Sequence, residues 1–541
     1  MKQRLSFKTE YVWLAAIVVL ALYLRLWGIG FDLPYVGYIS DETRTVDHSL
    51  QIMRAGLLDG AAWGIGTLYF YVQAAVNVPI FWLAGITGPD AVPTFVELQT
   101  AHNITAPNIG MPYPAPQIYY WGRVLVAVFG SASVVVLYLI GRTLKSARVG
   151  LAAAFFLAAF ALHIEFSHYL IRTVPALFLL LLAFYVILQA YNRHSWWLYL
   201  FSLLPAFAAI YAKQNSLIIL CPLAAGVAMS LWHEFQTRER RQFALTAATA
   251  VGVALALFVA VWVLTGFNIL QYVQSLVNRV LYHPFVYGGT WLGASGENTA
   301  QWMARQFFVE RPEKYMLLLS LPGVLAALAL RGRGALLLSV VVPYLVVFSF
   351  FTVRWLHWLL PVMAMMLLLS ALFLDWLFET ARNALPTVDA RLLGALHIGL
   401  LLAVAWPSIS FAAAQNSVAV RPDVRNLVDG WVQQNLPPGA TLVVDEYGPY
   451  ITADNFNVIY VNSITDKDVQ TYRTEGVDYL VGNGLKLITF LNALSDPRTG
   501  DVANEQTARA YQMMTELTPI HEFKGPFIFT PDMQVIIFQI E

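Results

Sequence analysis

Long apolar runs separated by short charged clusters fill the chain from about Tyr11 to Ala414. One crossing of a bilayer needs about 20 apolar residues, and these runs supply that length many times over. The pattern predicts an α-helical polytopic membrane protein of about eleven spans. The predicted spans lie near residues 11–30, 118–141, 149–166, 170–191, 196–212, 215–232, 243–265, 314–330, 334–351, 355–375 and 392–410.

Lysine and arginine clusters between the spans predict the orientation. The first run follows Lys2, Arg4 and Lys8. It is longer than the apolar region of a signal peptide and has no small-residue cleavage site after it, so we predict a retained span. With the N-terminus in the cytoplasm, every second loop is basic, as the positive-inside rule expects. The cytoplasmic turns then hold Arg142, Lys145 and Arg148; Asn192, Arg193 and His194; Arg238, Arg240 and Arg241; Arg331 and Arg333; and Arg382 and Arg391.

One apolar segment does not fit this alternation. Residues 66–86 are long enough to cross, but a crossing there would move the basic cluster after the second span to the outside. Pro79, Gly85 and the neighbouring aromatic residues suit the headgroup region, so we predict interfacial or re-entrant helices. Three regions then face outward: a first loop of residues 31–117, a second loop of residues 266–313, and a domain of residues 412–541.

The pattern after residue 411 is typical of a small soluble α/β domain. Val424, Leu427, Val428 and Trp431 lie at helical spacing, and Pro437-Pro438-Gly439 ends that helix. Strand-like runs follow at 441–444, 458–461, 479–481 and 535–540, with a second helix near 504–517. We therefore predict a transmembrane domain of residues 1–411 and an extracytoplasmic domain of residues 412–541.

Composition narrows the possible partners. Of the 541 residues, 58% are hydrophobic and 12% are charged, and the formal net charge is zero. This balance argues against a nucleic-acid partner and leaves the lipid bilayer as the main surroundings. Cys221 is the single cysteine, so neither a disulfide framework nor a cysteine-based metal site is available.

Two adjacent carboxylates stand in the predicted first outer loop, in Ser40-Asp41-Glu42. They have two interpretations. Asp41 could cap a helix over about residues 42–56, because Asp is a favoured N-cap residue. Alternatively, Asp41 and Glu42 could be catalytic.

Several cationic side chains are predicted at the same outer surface, against the usual charge bias of that side. Snorkelling to the interface explains any one of them. Together they form a candidate anion site that a phosphate would fit. The candidates are Arg123, His168, Arg172, Lys213, His283 and Arg354.

These groups suggest a reaction. A sugar joined to a lipid phosphate has an acidic leaving group, which needs positive charge but no general acid. The attacking hydroxyl or amine needs one base, whereas a glycosidase needs two carboxylates. Direct attack would invert the anomeric centre, with Asp41 as the base and Lys213 with an outer arginine holding the phosphate.

Four stretches, in this order, resemble the clan C (GT-C) membrane glycosyltransferases related to protein O-mannosyltransferases and to the aminoarabinose transferases of lipid A. They are Ser40-Asp41-Glu42; Tyr120-Trp121-Gly122-Arg123 through Gly130 to Gly141-Arg142; His163 to Tyr169, continuing to Pro175; and Thr352-Val353-Arg354 with Leu360-Pro361. The resemblance implies a polyprenyl-phosphate-linked sugar donor, an inverting transfer outside the cytoplasm of a bacterial or archaeal cell, and interfacial helices in the first loop. It places the family's acidic motif at Asp41 and Glu42 and gives the base role to Asp41.

One position departs from the family pattern. Many relatives have an Asp two residues before the proline of the third stretch, where this chain has Thr173. The nearest carboxylate, Glu165, is the candidate second acid. The sequence identifies no cofactor and leaves a divalent metal open, because Asp41 with Glu42 could hold one beside a phosphate. Lys213, in Ala212-Lys213-Gln214, stands where relatives often carry a basic residue.

The sugar and the acceptor stay open, and the acceptor could be a protein hydroxyl, a lipid or a glycan. Two other functions also fit many apolar spans with few charges: a transporter or flippase for a lipid-linked glycan, and a non-catalytic relative that binds carbohydrate. Transporters usually place polar groups at mid-membrane on broken helices, often in internal repeats. Here the candidate groups are predicted at one surface, and the sequence shows no repeat.

Overall fold

The structure is a computed structural model that describes residues 7–55, 68–106, 108–237, 298–351, 354–484, 501–527 and 530–540, with positions 248, 251–252, 274 and 487. Helices dominate this part of the chain as far as Ala419. They are α1 (Phe7–Leu26), α2 (Ser40–Ala55), α3 (Leu68–Ala84), α4 (Phe95–Ala101), α5 (Gln117–Leu144), α6 (Ala147–Ala158), α7 (Ala161–Phe166), α8 (Thr173–Arg193), α9 (Trp196–Ala212), α10 (Leu220–Thr237), α11 (Thr299–Arg305), α12 (Lys314–Leu318), α13 (Ser320–Leu328), α14 (Gly332–Ser349), α15 (Leu360–Ala384) and α16 (Ala390–Ala419). Short 3-10 turns, Gln214–Ile219 and Leu356–Leu359, lead into α10 and α15.

Seven helical segments in the described part of the chain are long and apolar enough to cross a membrane. They are Thr9–Leu26, Gln117–Leu144, Thr173–Arg193, Gln214–Thr237, Gly332–Ser349, Leu356–Ala384 and Ala390–Asn435. Three shorter apolar helices, Ala147–Ala158, Trp196–Ala212 and Lys314–Leu328, coincide with further predicted spans. The predicted span at 243–265 lies almost wholly outside the described residues. The α-helical membrane architecture is confirmed, and the count of eleven spans stays a prediction.

Close contacts between helices in the membrane region depend on small residues. A Cβ atom on Gly141 of α5 would lie 2.8 Å from the Cα atom of Gly150 of α6, which no real side chain tolerates. The two backbones therefore pack directly on one another, as small residues allow in membrane helices. Fully buried Phe156 and Phe184 belong to the large hydrophobic core of these helices.

The turns around Lys145, Asn192 and Arg333, which were predicted to face the cytoplasm, lie at one end of the helices, whereas Arg238, Arg240 and Arg241 lie outside the described residues. Lys145 Nζ lies 2.7 Å from Asp375 Oδ2 near the end of α15. Arg333 Nε, at the start of α14, donates to Asn192 Oδ1 near the end of α8 at 2.8 Å. The N-terminus of α8 consequently lies at the opposite end, about 30 Å away for a helix of this length.

The segment around residues 66–86 forms an elbow. Helix α3 and the following segment Pro89–Ala101 are bent by 73° relative to one another. Two consecutive buried hydrogen bonds join α3 to α2. Gln73 Nε2 donates to Asn77 Oδ1 at 2.8 Å, and Asn77 Nδ2 donates to Ser49 Oγ at 2.9 Å. Trp82 and Leu83 are 80% and 73% exposed, as expected for an elbow that meets lipid. Its interfacial or re-entrant location stays a prediction.

The chain after Ala419 forms the predicted α/β domain. After a turn at Val424–Leu427 come α17 (Val428–Asn435), β3 (Thr441–Asp445), β4 (Asn457–Val461), α18 (Val469–Thr474), β5 (Tyr479–Asn483), α19 (Asp501–Glu516), β6 (Pro519–Phe527) and β7 (Thr530–Gln539). The strands form one sheet in the order β4-β3-β5-β7-β6. Strand β3 is parallel to β4 and β5, and β7 is antiparallel to β5 and β6.

Both faces of this sheet are covered. One face packs on α19 through Ala510 and Met513. The other shares a hydrophobic core with the first loop, whose short strands β1 (Tyr35–Val36) and β2 (Met111–Pro112) pair antiparallel. Thr105 Oγ1 also donates to the Tyr460 carbonyl at 3.0 Å. The first loop and the C-terminal domain therefore form one packed layer at the end of the helices that carries the start of α8.

Candidate active site

Asp41 lies in the first turn of α2. The helix begins at Ser40, so Asp41 is not the N-cap residue that one interpretation of the sequence proposed. Its side chain is 47% exposed, and the nearest charged partner, Arg44, is one turn further on at 3.8 Å. A carboxylate in the first turn is favoured by the helix dipole. Asp41 is therefore an accessible carboxylate held on a regular helix.

Glu42 has a very different environment from its neighbour. Its carboxylate accepts hydrogen bonds from Arg123 Nε at 2.9 Å and Arg123 Nη2 at 2.7 Å, and from the Leu170 backbone N–H at 2.6 Å. Arg123 Nη1 donates to the carbonyls of Ile29 and Phe31. Adjacent residues project about 100° apart around a helix, so α2 presents Asp41 outward and Glu42 inward. Glu42 and Arg123, predicted as catalytic and phosphate-binding groups, bind each other in this structure, and those two roles stay predictions.

Lys213 and Arg172 lie near Asp41. Lys213 caps the end of α9, and its Nζ donates to Thr173 Oγ1 at 2.5 Å, at the start of α8. Among the described residues, Arg172 and Asp41 lie near enough for their charges to act on the Lys213 ammonium. Burial lowers the pKa of Lys213 well below its usual value, so an anion beside it would help to keep it charged. The structure thus places one carboxylate and two cationic groups in the same region.

Two histidines that the sequence interpretation did not include belong to this region. His48 follows Asp41 by seven residues on α2, and its ring centroid lies 4.7 Å from that of Phe70. The Arg172 guanidinium carbon lies 5.7 Å from the centroid of the same Phe70 ring. Burial lowers the pKa of His48, which favours the neutral imidazole at pH 7. His357, in the turn before α15, lies near enough to Lys213 and Arg172 for their charges to act on its ring.

Sequence and structure comparisons agree on the kind of fold. A profile of the dolichyl-phosphate-mannose-protein mannosyltransferase family matches residues 99–283. The oligosaccharyltransferase of Archaeoglobus fulgidus, in a form tethered to an acceptor peptide, matches 99% of this chain and 74% of its own, with 13% identity and a TM-score of 0.52. The same archaeal protein, AglB, in complex with an inhibitory peptide and a dolichol-phosphate, matches 90% of this chain and 71% of its own, with 13% identity and a TM-score of 0.52.

This chain has the GT-C glycosyltransferase fold. The resemblance predicted from the four sequence stretches is confirmed at this level. ArnT from Cupriavidus metallidurans also matches, over 98% of both chains, with 13% identity and a TM-score of 0.46. No curated protein matches the sequence.

Three other residues were predicted to bind the donor phosphate: His168, Arg354 and His283. His168 is buried, with its ring nitrogens 2.8 Å from the Ile164 carbonyl and 3.0 Å from the Trp27 carbonyl. These contacts join the turn before α8 to the end of α1. Arg354 Nε donates to Thr299 Oγ1 at 3.3 Å. His283 lies outside the described residues, so its placement stays a prediction.

Glu165, the candidate second carboxylate, belongs to a separate polar group. It is hydrogen-bonded to Tyr169 and lies near Arg311 and Glu313. Those two form a buried ion pair, with Arg311 Nε 3.0 Å from Glu313 Oε2. Glu313 also accepts a hydrogen bond from the Leu162 backbone N–H at 2.7 Å. Glu165 therefore takes part in holding α7 against the segment before α12.

The Asp41-Glu42 pair does not fit a divalent metal. Metals at phosphate sites usually use one or two carboxylates with free oxygen atoms. Both Glu42 oxygens accept hydrogen bonds from Arg123, and Asp41 projects to another side of α2. Within the part of the chain that the structure describes, no three His, Cys, Asp or Glu side chains are grouped so that they could hold a metal ion.

Proposed function

We propose that this protein is an inverting glycosyltransferase, moving a hexosyl or pentosyl group from a polyprenyl-phosphate-linked donor to a hydroxyl or amine acceptor outside the cytoplasm. The observation that carries the proposal is the grouping of Asp41, Arg172 and Lys213 at one end of the helices. One carboxylate supplies a base, and two cationic groups supply a place for a phosphate.

In this reaction the Asp41 carboxylate accepts the proton of the attacking O–H or N–H group. The attacking atom bonds to the anomeric carbon while the bond from that carbon to the phosphate oxygen breaks. The electron pair of the broken bond leaves with the polyprenyl phosphate, where Lys213 and Arg172 stabilise the developing charge. Attack on the face opposite the phosphate inverts the anomeric centre.

The fold supports this assignment over a transporter or flippase. AglB, which shares the fold, is known in complex with a dolichol-phosphate, a lipid phosphate of the class proposed here. Transporters usually bind their substrates near the bilayer midplane on broken helices. The charged group here lies where α8 and α2 begin, at the end opposite the basic turns.

A direct test uses Asp41→Asn, which removes the charge with little change of shape. Wild type, supplied with a panel of polyprenyl-phosphate sugars and hydroxyl or amine acceptors in vesicles, is expected to release free polyprenyl phosphate from at least one donor. Asp41→Asn should lower that rate by at least about 10²-fold, as loss of a general base does. Asp90→Asn, an acidic residue of the same loop with an 88% exposed side chain, is the matched control.

Mass spectrometry of the products from the same panel identifies the sugar and the acceptor class. Equal rates for wild type and Asp41→Asn with a donor that is turned over would remove Asp41 from the base role. Transport of an intact lipid-linked sugar across the vesicle, with no free lipid phosphate released, would favour the flippase.

A further inference from the structure

The C-terminal domain contacts the segment that leads into Asp41 through one buried arginine. Arg425 forms a two-pronged ion pair with Asp423, with Nε 2.8 Å from Oδ1 and Nη2 2.7 Å from Oδ2. Neither side chain has any exposed surface. Such a pair is rigid because each prong fixes the orientation of the guanidinium plane.

That guanidinium lies over an aromatic ring of the first loop. Its central carbon is 3.1 Å from the centroid of the Tyr38 ring. The Tyr38 hydroxyl donates to Asn426 Oδ1 at 3.0 Å, so ring and hydroxyl both contact the same turn of the C-terminal domain. Arg425 Nη2 also lies 3.8 Å from Asp32 Oδ2. Tyr38 stands three residues before Asp41.

The Tyr38 ring has little room to move on its other side. A Cβ atom on Gly110 would lie 2.1 Å from Tyr38 Cζ, so the ring rests directly on the backbone before β2. At the end of the same segment, Glu42 is fixed by Arg123. Residues 38 and 42 are thus held from two directions, and Asp41 lies between them.

We propose that Arg425 and Tyr38 are positioning residues, through which the C-terminal domain sets the location of the Asp41 carboxylate. This inference rests on the proposed function, because it assumes that Asp41 is the base. A displacement of about 1 Å at a reacting group is enough to lower a rate by about 10²-fold. The C-terminal domain is then part of the catalytic apparatus in addition to any role in binding the acceptor.

The test compares turnover per folded molecule and donor KM in the full-length protein, using the polyprenyl-phosphate sugar that wild type consumes fastest. Tyr38→Phe keeps the ring and loses the bond to Asn426, Tyr38→Leu loses the ring, and Arg425→Lys keeps the charge but loses the planar contact. We expect kcat to fall roughly 5- to 10-fold for the first and roughly 10- to 100-fold for the other two, with donor KM within about threefold.

Two further variants separate positioning from general docking. Thr105→Val removes another hydrogen bond between the first loop and the C-terminal domain, the one to the Tyr460 carbonyl, and should leave kcat within about twofold. Asn426→Ala removes the partner of the Tyr38 hydroxyl. It should lower kcat as much as Tyr38→Phe, and the two together should lower it no further, because both delete one contact.

Turnover by folded Tyr38→Leu equal to that of wild type would overturn the inference, as would equal losses in Thr105→Val and Tyr38→Phe. If Arg425→Lys fails to fold, the Tyr38 and Asn426 variants decide the question. Asp41→Asn is measured in parallel. If wild type releases no free lipid phosphate from any donor, the proposed function has failed. Wild-type turnover in Asp41→Asn would mean that the base role on which this inference rests has failed. Inactivity of Asp41→Asn beside fully active Tyr38 variants would mean that only the positioning role has failed.

Discussion

Breaking the buried ion pair between Glu42 and Arg123 is expected to destabilise the protein strongly. The two side chains are 4% and 2% exposed, and they are joined by hydrogen bonds of 2.9 and 2.7 Å. In Glu42→Gln the Arg123 guanidinium stays buried without its counter-charge. Removing one partner of a buried pair costs about 3–5 kcal/mol in the free energy of unfolding.

The reverse variant, Arg123→Met, should cost at least as much. It leaves the Glu42 carboxylate buried and also removes the donor to the carbonyls of Ile29 and Phe31, and an unsatisfied buried group costs about 1–3 kcal/mol. The double variant Glu42→Gln with Arg123→Met retains neither charge. We expect it to be no less stable than Arg123→Met alone, which corresponds to a coupling energy of about 3 kcal/mol between the two positions.

The measurement is the denaturant concentration at which half of the purified protein is unfolded, in one detergent. Where unfolding is reversible, this midpoint is converted to a free energy of unfolding. Where it is irreversible, the variants are ranked by their midpoints. Glu475→Gln is the control, because its ion pair with Lys467 is 42% and 46% exposed and should contribute less than about 1 kcal/mol. The reasoning is refuted if the double variant loses as much free energy of unfolding as the two single variants lose together. It is also refuted if the denaturant midpoint of Glu42→Gln equals that of Glu475→Gln.

Two further outcomes are expected. Lys213→Met should raise the donor KM at least about tenfold, because a hydrogen bond to a charged group is worth roughly 1.5–3 kcal/mol. Lys467→Met is the control, and an unchanged donor KM in Lys213→Met would contradict its phosphate role. Burial, followed by the Asp423 carboxylate, raises the pKa of Asp32 to about 7. The stability that protonated Asp32 contributes is therefore complete below its unfolded-state pKa of about 4 and is lost as the pH rises from there to 7. Asp32→Asn should gain in Tm relative to wild type between pH 4 and 7 and gain no more from pH 7 to 8, and parallel Tm curves from pH 4 to 8 would argue against this assignment.

The helices were predictable because membrane spans are decided by length and apolarity, which are local properties of the chain. The C-terminal strands β3, β4, β5 and β7 were found by the same kind of local pattern. Strand β6 was missed. It lies at the edge of the sheet, where Pro519, Pro526 and charged side chains such as Glu522 and Lys524 are tolerated, and these residues obscure the alternation that marks a strand.

The site was predictable only in part. Membrane topology alone brought Asp41, Arg172 and Lys213 to the same end of the helices. The separation of Asp41 from Glu42 was not predictable, because it depends on where α2 begins and on Arg123, 81 residues away in the chain. The pairing of Tyr38 with Arg425 is equally non-local. His48, by contrast, could have been found, because seven residues are nearly two helical turns and bring it to the same side of α2 as Asp41.

The charges around Asp41 suit a reaction in which negative charge moves rather than appears. Before transfer, the proposed donor phosphodiester and the Asp41 carboxylate carry one negative charge each, facing Lys213 and Arg172. After transfer, Asp41 holds the proton and the released phosphate carries up to two negative charges, so the total stays balanced while the charge shifts toward the two cations. Interactions that strengthen along the reaction lower its barrier. Because Thr173 offers Lys213 a hydroxyl in place of a carboxylate, the ammonium keeps its full attraction for that developing charge.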